Sequence, residues 1–319
     1  MKNRGSLIEQ DAIDFELESI NCNLCGESDT NLYAQVSYID YLNRRPELRN
    51  DNDPILRNEN LASNKFNMVK CRHCGLIYIN PRLNEKSSAQ LYGKDYFYFY
   101  ADTESDAHIK RQATFVPEIK ELEGLTTGKK LLDIGCGGGF FLNSLGNSWK
   151  KWGTEINPTA VKFAKEKFGL EIIHGTLKDA DFAEESFDVV KLRAVIEHLH
   201  DPKCELLEIY RVLRKGGILA VQTPNMGSIC AKLYREKFRM VGPIHHIYYF
   251  STKTLTQMLK MLDFKITKIS YHYFDTPYAS FKDPVKMLSD IITFRMFKKT
   301  DTVSPPFYGN IVDVYAQKI

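Results

Sequence analysis

The sequence predicts an α/β fold: a doubly wound, seven-stranded, mostly parallel sheet preceded by a small cysteine-bearing N-terminal lobe. Three observations carry that prediction. From residue 129 onward, short apolar runs alternate with amphipathic segments, the texture of successive βαβ units. The first apolar run closes on a glycine-rich turn, L-L-D-I-G-C-G-G-G-F-F-L. Ahead of the sheet stand two Cys-x-x-Cys-Gly pairs, at 22–26 and 71–75.

The elements follow in order. Strands are expected at Lys130–Ile134, Lys151–Ile156, Leu170–His174, Phe187–Leu192, Gly217–Gln222, Phe264–His272 and Ile311–Lys318. Helices are expected between them at Gly139–Gly146, Thr159–Phe168, Lys203–Leu213 and Thr252–Leu262, with one more ahead of the sheet near Ile109–Leu122. Asn157-Pro158 and Asp201-Pro202 are helix starts, because proline suits the first turn. Gly169 and Gly216 read as helix exits. The division expected is a tail over 1–20, a zinc-binding lobe and substrate lid over 21–100, and the sheet domain over 101–319.

Of the 319 residues, 43% are apolar and 26% charged, the balance of an ordinary globular protein. A net charge of +3 makes no global demand for nucleic acid. No run of eighteen apolar residues and no secretory leader pattern is present, so neither a membrane span nor secretion is expected. Seven cysteines, four of them in Cys-x-x-Cys pairs, point to metal binding in a reducing compartment, with the cytoplasm as the expected location.

Gly135, Gly137 and Gly139 form a Gly-x-Gly-x-Gly turn leading into a helix, where the backbone approaches a ligand closely and N–H groups stand unpaired. Asp133 precedes the turn. A carboxylate there repels a pyrophosphate and suits a ligand carrying an ammonium group. Glu155 ends the second strand, where an acid accepts from ribose hydroxyls. An acid on each side of the glycines describes an adenosyl ligand with an amino-acid tail, S-adenosylmethionine.

Residues 129–224 resemble the class I S-adenosylmethionine-dependent methyltransferases through L-L-D-I-G-C-G-G-G, W-G-T-E-I-N-P, S-F-D-V-V, V-I-E-H-L-H-D-P and R-V-L-R-K-G-G-I-L-A-V-Q-T-P-N. The resemblance implies a Rossmann-like sheet of order 3-2-1-4-5-7-6 with the seventh strand antiparallel. It implies that Asp133, Gly135 and Gly137 line the methionine end of the cofactor, with Cys136 and Gly139 in the same loop. Glu155 would hold the ribose with Ile156 beside it, Thr176 and Leu177 would occupy the turn at the adenine, and Arg193 would border the site. Relatives often carry an acid just after strand three; here the stretch is H-G-T-L-K-D-A-D, and Asp179 comes later.

Cys22, Cys25, Cys71 and Cys74 read as two zinc knuckles sharing one tetrahedral ion, each with glycine permitting the tight turn. Four thiolates leave no open position, so the zinc is structural, and His73 is a surface residue. The stretch C-x-x-C-G-L-I-Y-I-N-P-R followed by L-Y-G-K-D-Y-F resembles the N-terminal zinc lobe of bacterial methyltransferases, including those that methylate sugar carbons. Tyr92, Tyr96, Phe97, Tyr98, Phe99 and Tyr100 read as a lid or substrate wall, or as packing between lobes.

The segment G-P-I-H-H-I-Y-Y-F-S at 242–251 is similar to a histidine-bearing stretch of the sugar C-methyltransferases. That similarity implies His246 as a base, with His245 replacing a glutamate and His198 also matched. The pattern Glu-x-x-Glu-His of small-RNA and quinone O-methyltransferases points instead to a divalent metal on Glu197, His198 and a later histidine, but its first glutamate is Ala194 here. A neutral imidazole needs no metal, so His246 as base, with His198, His245 and Glu197 around it, is the expectation. His200 reads as a loop residue.

The expected acceptor is a hydroxyl of a sugar, glycan or other small polar metabolite. The alternatives are C-methylation of a nucleotide-linked deoxysugar and RNA methylation through the zinc lobe. Residues 1–101 hold twelve Lys and Arg against fourteen Asp and Glu, a poor phosphate surface. Residues 231–319 hold fourteen against seven, and they include Phe281, Val285, Leu288, Ile291, Ile292 and Arg295 at helical spacing. That stripe reads as core packing or a dimer face, with peripheral contact to anionic lipid as the alternative.

Overall fold

The computed structural model describes residues 15–46, 49, 54–92, 106–273, 277–297 and 303–319. The first part of the chain forms β1 (Leu17–Glu18), β2 (Thr30–Ser37), α1 (Tyr38–Arg44), α2 (Pro54–Arg57), α3 (Glu59–Ser63), β3 (Lys65–Cys71), β4 (Ile77–Ile79), β5 (Arg82–Leu83) and α4 (Glu85–Ala89). Side-chain caps start its helices: Ser37 accepts from the Asp40 N–H and Asn58 from the Leu61 N–H.

Two helices follow, α5 (Asp106–Ala113) and α6 (Phe115–Leu125), where one was expected over 109–122. The break at Thr114 has a covalent cause. Pro117 has no N–H to donate to residue 113, and its ring crowds that carbonyl.

The main sheet then alternates with helices: β6 (Lys130–Ile134), α7 (Phe140–Ser144), β7 (Lys150–Glu155), α8 (Pro158–Phe168), β8 (Glu171–His174), β9 (Phe187–Arg193), α9 (Pro202–Val212) and β10 (Leu213–Pro224). After α10 (Ile229–Tyr234) and β11 (Tyr248–Tyr249) come α11 (Thr252–Met261), β12 (Phe264–Ser270), α12 (Lys282–Phe297) and β13 (Ile311–Lys318). The strand order is β8-β7-β6-β9-β10-β13-β12, with β13 antiparallel to both neighbours. Counted from β6, this is the expected 3-2-1-4-5-7-6. The central strands are buried on both faces. Leu132, Ile134, Val190 and Leu192 face one core, and Leu131, Val189, Ile218 and Tyr315 the other.

Asn157 caps α8 by accepting from Thr159 and Ala160 N–H groups, and Gly169, at φ 65°, ends it. Gly216 is not a helix exit. The helix has already ended at Val212, and Gly216 (φ 75°) lies in a register shift of β10 between Leu213 and Ile218.

The lobe is stitched into the domain it precedes. Its four-stranded sheet has the order β11-β4-β3-β2, and β11 comes from the segment just after His246. Leu24, Leu76 and Tyr78 of the lobe share one core with Leu132, Val190 and Leu206 of the main sheet and its helices. The aromatic run 96–100 lies outside the described residues, as do residues 1–14 and the side chain of Tyr92.

Candidate active site

The glycine loop leaves β6 with three left-handed residues, Gly135, Gly137 and Gly139 at φ 64°, 55° and 74°. A side chain at Gly135 would strike Val195, and one at Gly139 would strike Leu170. At Gly137 a Cβ would meet nothing within 4 Å, so this glycine opens a space rather than filling one. Glu155 closes the loop from β7: its carboxylate accepts from the Gly137 N–H and the Asn157 N–H, both at 2.8 Å. Burial raises its pKa, and those N–H groups pull it back down. Cys136 is part-buried in the same loop.

Asp133 is buried, and its ammonium partner is the chain's own. Lys191 on the adjacent strand places Nζ 3.3 Å from the Asp133 carboxylate and 3.7 Å from Glu118 of α6. Burial raises the Asp133 pKa, with the nearby Lys191 ammonium opposing it. Arg193 is turned the same way: it bonds Glu118 at 2.7 Å and the Thr114 hydroxyl, and lies over the Phe115 ring. Asp133 thus has the Lys191 ammonium as an internal partner, and Arg193 is tied to α6. The Leu177 side chain is wholly buried in the main core. Thr176 turns to Asp179, which accepts from both its N–H and its hydroxyl, while Ile156 is exposed beside the end of β7.

The four cysteine sulfurs converge. Cys22 and Cys74 lie 3.4 Å apart, Cys25 and Cys71 3.5 Å, and all four within 4.8 Å of one another. Tetrahedral zinc with bonds of about 2.3 Å needs sulfur separations of about 3.8 Å, so the donors fit. Gly26 and Gly75, at φ 82° and 83°, make the two knuckle turns. His73 points to solvent.

The second cluster sits where β9 ends. Ala194 takes φ 54°, a left-handed conformation that costs a non-glycine residue on the order of 1 kcal/mol or more. The chain then turns, His198 donating its N–H to the Val195 carbonyl at 2.8 Å. The Glu197 carbonyl accepts from both Ile247 and Tyr248 N–H groups, which seats the 242–251 segment on this turn. His198 Nδ1 donates to the His245 carbonyl and His246 Nδ1 to the Met240 carbonyl, each at 2.8 Å. A carbonyl only accepts, so both rings carry their proton on Nδ1 and their lone pair on Nε2. The rings meet edge to face with centroids 4.7 Å apart. Burial holds both pKa values below the usual range, His246 at about 4, and both rings are neutral.

Glu197 lies beneath. One oxygen accepts from the Thr223 hydroxyl at 2.9 Å, and the other, Oε1, is buried with no hydrogen-bond partner among the described residues. Burial pushes this carboxyl up to about 7. Donor atoms of Glu197, His198 and His246 all lie within 4.8 Å of one another. His245 is not in that set: its ring turns to Tyr38, 6.0 Å away. His200 ties loops together through Leu83 and Arg82, in keeping with a loop role. Thr223 and Arg82, which bonds Glu18, the His200 carbonyl and the Tyr248 hydroxyl, lie within the quoted motifs but were not anticipated as site residues.

Comparison with known proteins bears on the domain and its fold. Residues 132–221 match a family described as a methyltransferase domain. An uncharacterised protein of Methanocaldococcus jannaschii is 29% identical over 55% of this chain and 83% of its own. The mitochondrial ubiquinone biosynthesis O-methyltransferase of Schizosaccharomyces pombe is 30% identical over 34% of this chain and 43% of its own. A tRNA U34 carboxymethyltransferase of Dichelobacter nodosus is 29% identical over 44% and 47%. This chain thus matches less than half the length of the latter two. A methyltransferase of Haloferax volcanii, solved with the Trm112 methyltransferase activator, has a TM-score of 0.51 at 16% identity, covering 70% of this chain and 97% of that one, a likeness of fold.

Proposed function

Because residues 132–221 are a class I S-adenosylmethionine-dependent methyltransferase domain, we propose that the chain methylates a hydroxyl of a sugar-like or other small polar acceptor in the cytoplasm, with His246 as the proton acceptor. The S–CH3 bond breaks with its electron pair left on sulfur, the acceptor oxygen bonds the methyl carbon, and the hydroxyl proton passes to His246 Nε2. One observation carries this reading: two neutral, part-buried imidazoles are held by their Nδ1–H groups at the carboxyl end of β9, beyond the glycine loop. His198 orients the acceptor. Alignment of oxygen and methyl carbon supplies the larger part of the acceleration, up to about 7–11 kcal/mol, and a base adds roughly 10²–10⁴-fold.

A divalent cation on Glu197, His198 and His246 is the second reading, favoured by Glu197 Oε1, which has no hydrogen-bond partner among the described residues. Incubating the protein with methyl-labelled S-adenosylmethionine and fractionated extract tests both. Label in polar, nuclease-resistant fractions is expected, with His246→Ala keeping cofactor affinity and losing at least about a hundredfold in turnover. A loss below about fivefold rejects the base. Turnover abolished by chelation and restored by magnesium or manganese, with zinc content unchanged, selects the cation.

A further inference from the structure

We propose that α12 docks this protein on a bilayer surface rich in anionic lipid. The helix lies in the insert between β12 and β13 and has two unlike faces. Its inner face is fully used: Met287 is buried against Cys230, Asp290 accepts from the Tyr234 hydroxyl and the Lys286 ammonium, and Asp283 accepts from the Tyr273 hydroxyl. Its outer face carries Val285, Leu288, Ile292 and Met296, exposed by 69%, 60%, 50% and 68%, and Phe281 just ahead of it is 99% exposed. From Val285 the spacing of three, four and four residues places them on one stripe, about 17 Å long at 1.5 Å per residue.

Charge selects the occupant. Both carboxylates of the helix are turned inward, so the charges left outside are cationic, Lys282 and Arg295. The sequence continues Lys298-Lys299. Among the described residues of this helix the charges beside the apolar stripe are cations, a pattern complementary to the boundary between anionic headgroups and acyl chains. A second copy fits less well, because a two-fold axis through this stripe would bring the same cations face to face. No helix among the described residues is long and apolar enough to cross a membrane, so the contact lies in the plane of the surface.

Co-sedimentation of the full chain with vesicles of phosphatidylcholine alone, or with about one third phosphatidylglycerol, tests this. The protein is expected to pellet with the anionic vesicles only, and less so when salt rises from about 0.1 M to about 1 M, which shortens the screening length from about 10 Å to about 3 Å. The double variant Leu288→Glu/Ile292→Glu should bind at least about tenfold more weakly, with S-adenosylmethionine affinity and melting temperature unchanged. If that variant misfolds, Lys282→Glu/Arg295→Glu, at exposed positions, serves in its place. Equal pelleting with both vesicle types, or equal pelleting of wild type and a folded variant, overturns the proposal. So does a dimer in solution that the folded variant converts to monomer while neither vesicle binds.

Discussion

Lys191 is wholly buried in a strand that otherwise reads as apolar, and three contacts explain it. Its ammonium sits between the Asp133 and Glu118 carboxylates and 4.0 Å from the centre of the Phe141 ring. Arg193 adds a second cation on Glu118, so the charges alternate from the glycine-loop strand out to α6. Buried ions are expensive singly and tolerable only when matched. Lys191→Met should therefore cost about 3–5 kcal/mol in urea denaturation, because it strands Asp133 without a counter-charge. The double variant Lys191→Met/Asp133→Asn leaves the Arg193–Glu118 pair whole and should recover much of that loss. A double variant as unstable as the single one would show that the damage is steric rather than electrostatic.

The elements were legible where a local rule governs them. β6 and β13 begin and end where the apolar runs do, and α8 runs from Asn157-Pro158 to Gly169 as cap chemistry dictates. Legibility failed where a rule competes with another: Pro117 splits α5 from α6, and Gly216 marks a strand bulge rather than a helix end. It failed also for β11, since two residues have no period and their partner β4 lies far away in sequence. At the site, the adjacency of Glu197 and His198 and the doublet at 245–246 were visible. The resemblance singled out His246 of the doublet, and the Met240 and Tyr38 contacts are the physical reason that it, and not His245, joins the cluster. Helix α9 carries a testable cost of its own. Glu205 in its first turn is pushed up to about 7, by burial first and then by Glu208 and Asp179. An unfolded chain releases that proton near pH 4.5, whereas the folded one holds it to about 7. Stability thus falls as pH rises through this window, and the full penalty stands above it. Glu205→Gln should raise stability on the order of 1–2 kcal/mol at pH 8 and leave it unchanged at pH 4. Thermal melts at both pH values decide; an equal gain at each would mean that titration is not the cause.

At the scale of the whole molecule, the cysteine site and the histidine cluster are mechanically joined. Cys71 ends β3, the knuckle at 71–75 leads into β4, β4 pairs with β11, and β11 begins two residues after His246. Arg82, just beyond β4, adds a second tie by bonding the Tyr248 hydroxyl and the His200 carbonyl. Because Leu76 and Tyr78 share a core with Leu132 and Val190, no apolar seam separates the lobe from the sheet. Structural zinc contributes on the order of 10–16 kcal/mol where folding creates the site, as much as the entire stability of a typical domain, about 5–15 kcal/mol. Elemental analysis should therefore find one zinc per chain. Cys74→Ser should lose it, melt at a lower temperature in a single transition, and lose methyl transfer along with the lobe. The coupling is what the experiment probes: if the variant shows two transitions, one of them at the wild-type temperature, the sheet folds independently of the lobe, and the path from Cys71 through β4 to His246 does not hold the histidine in place.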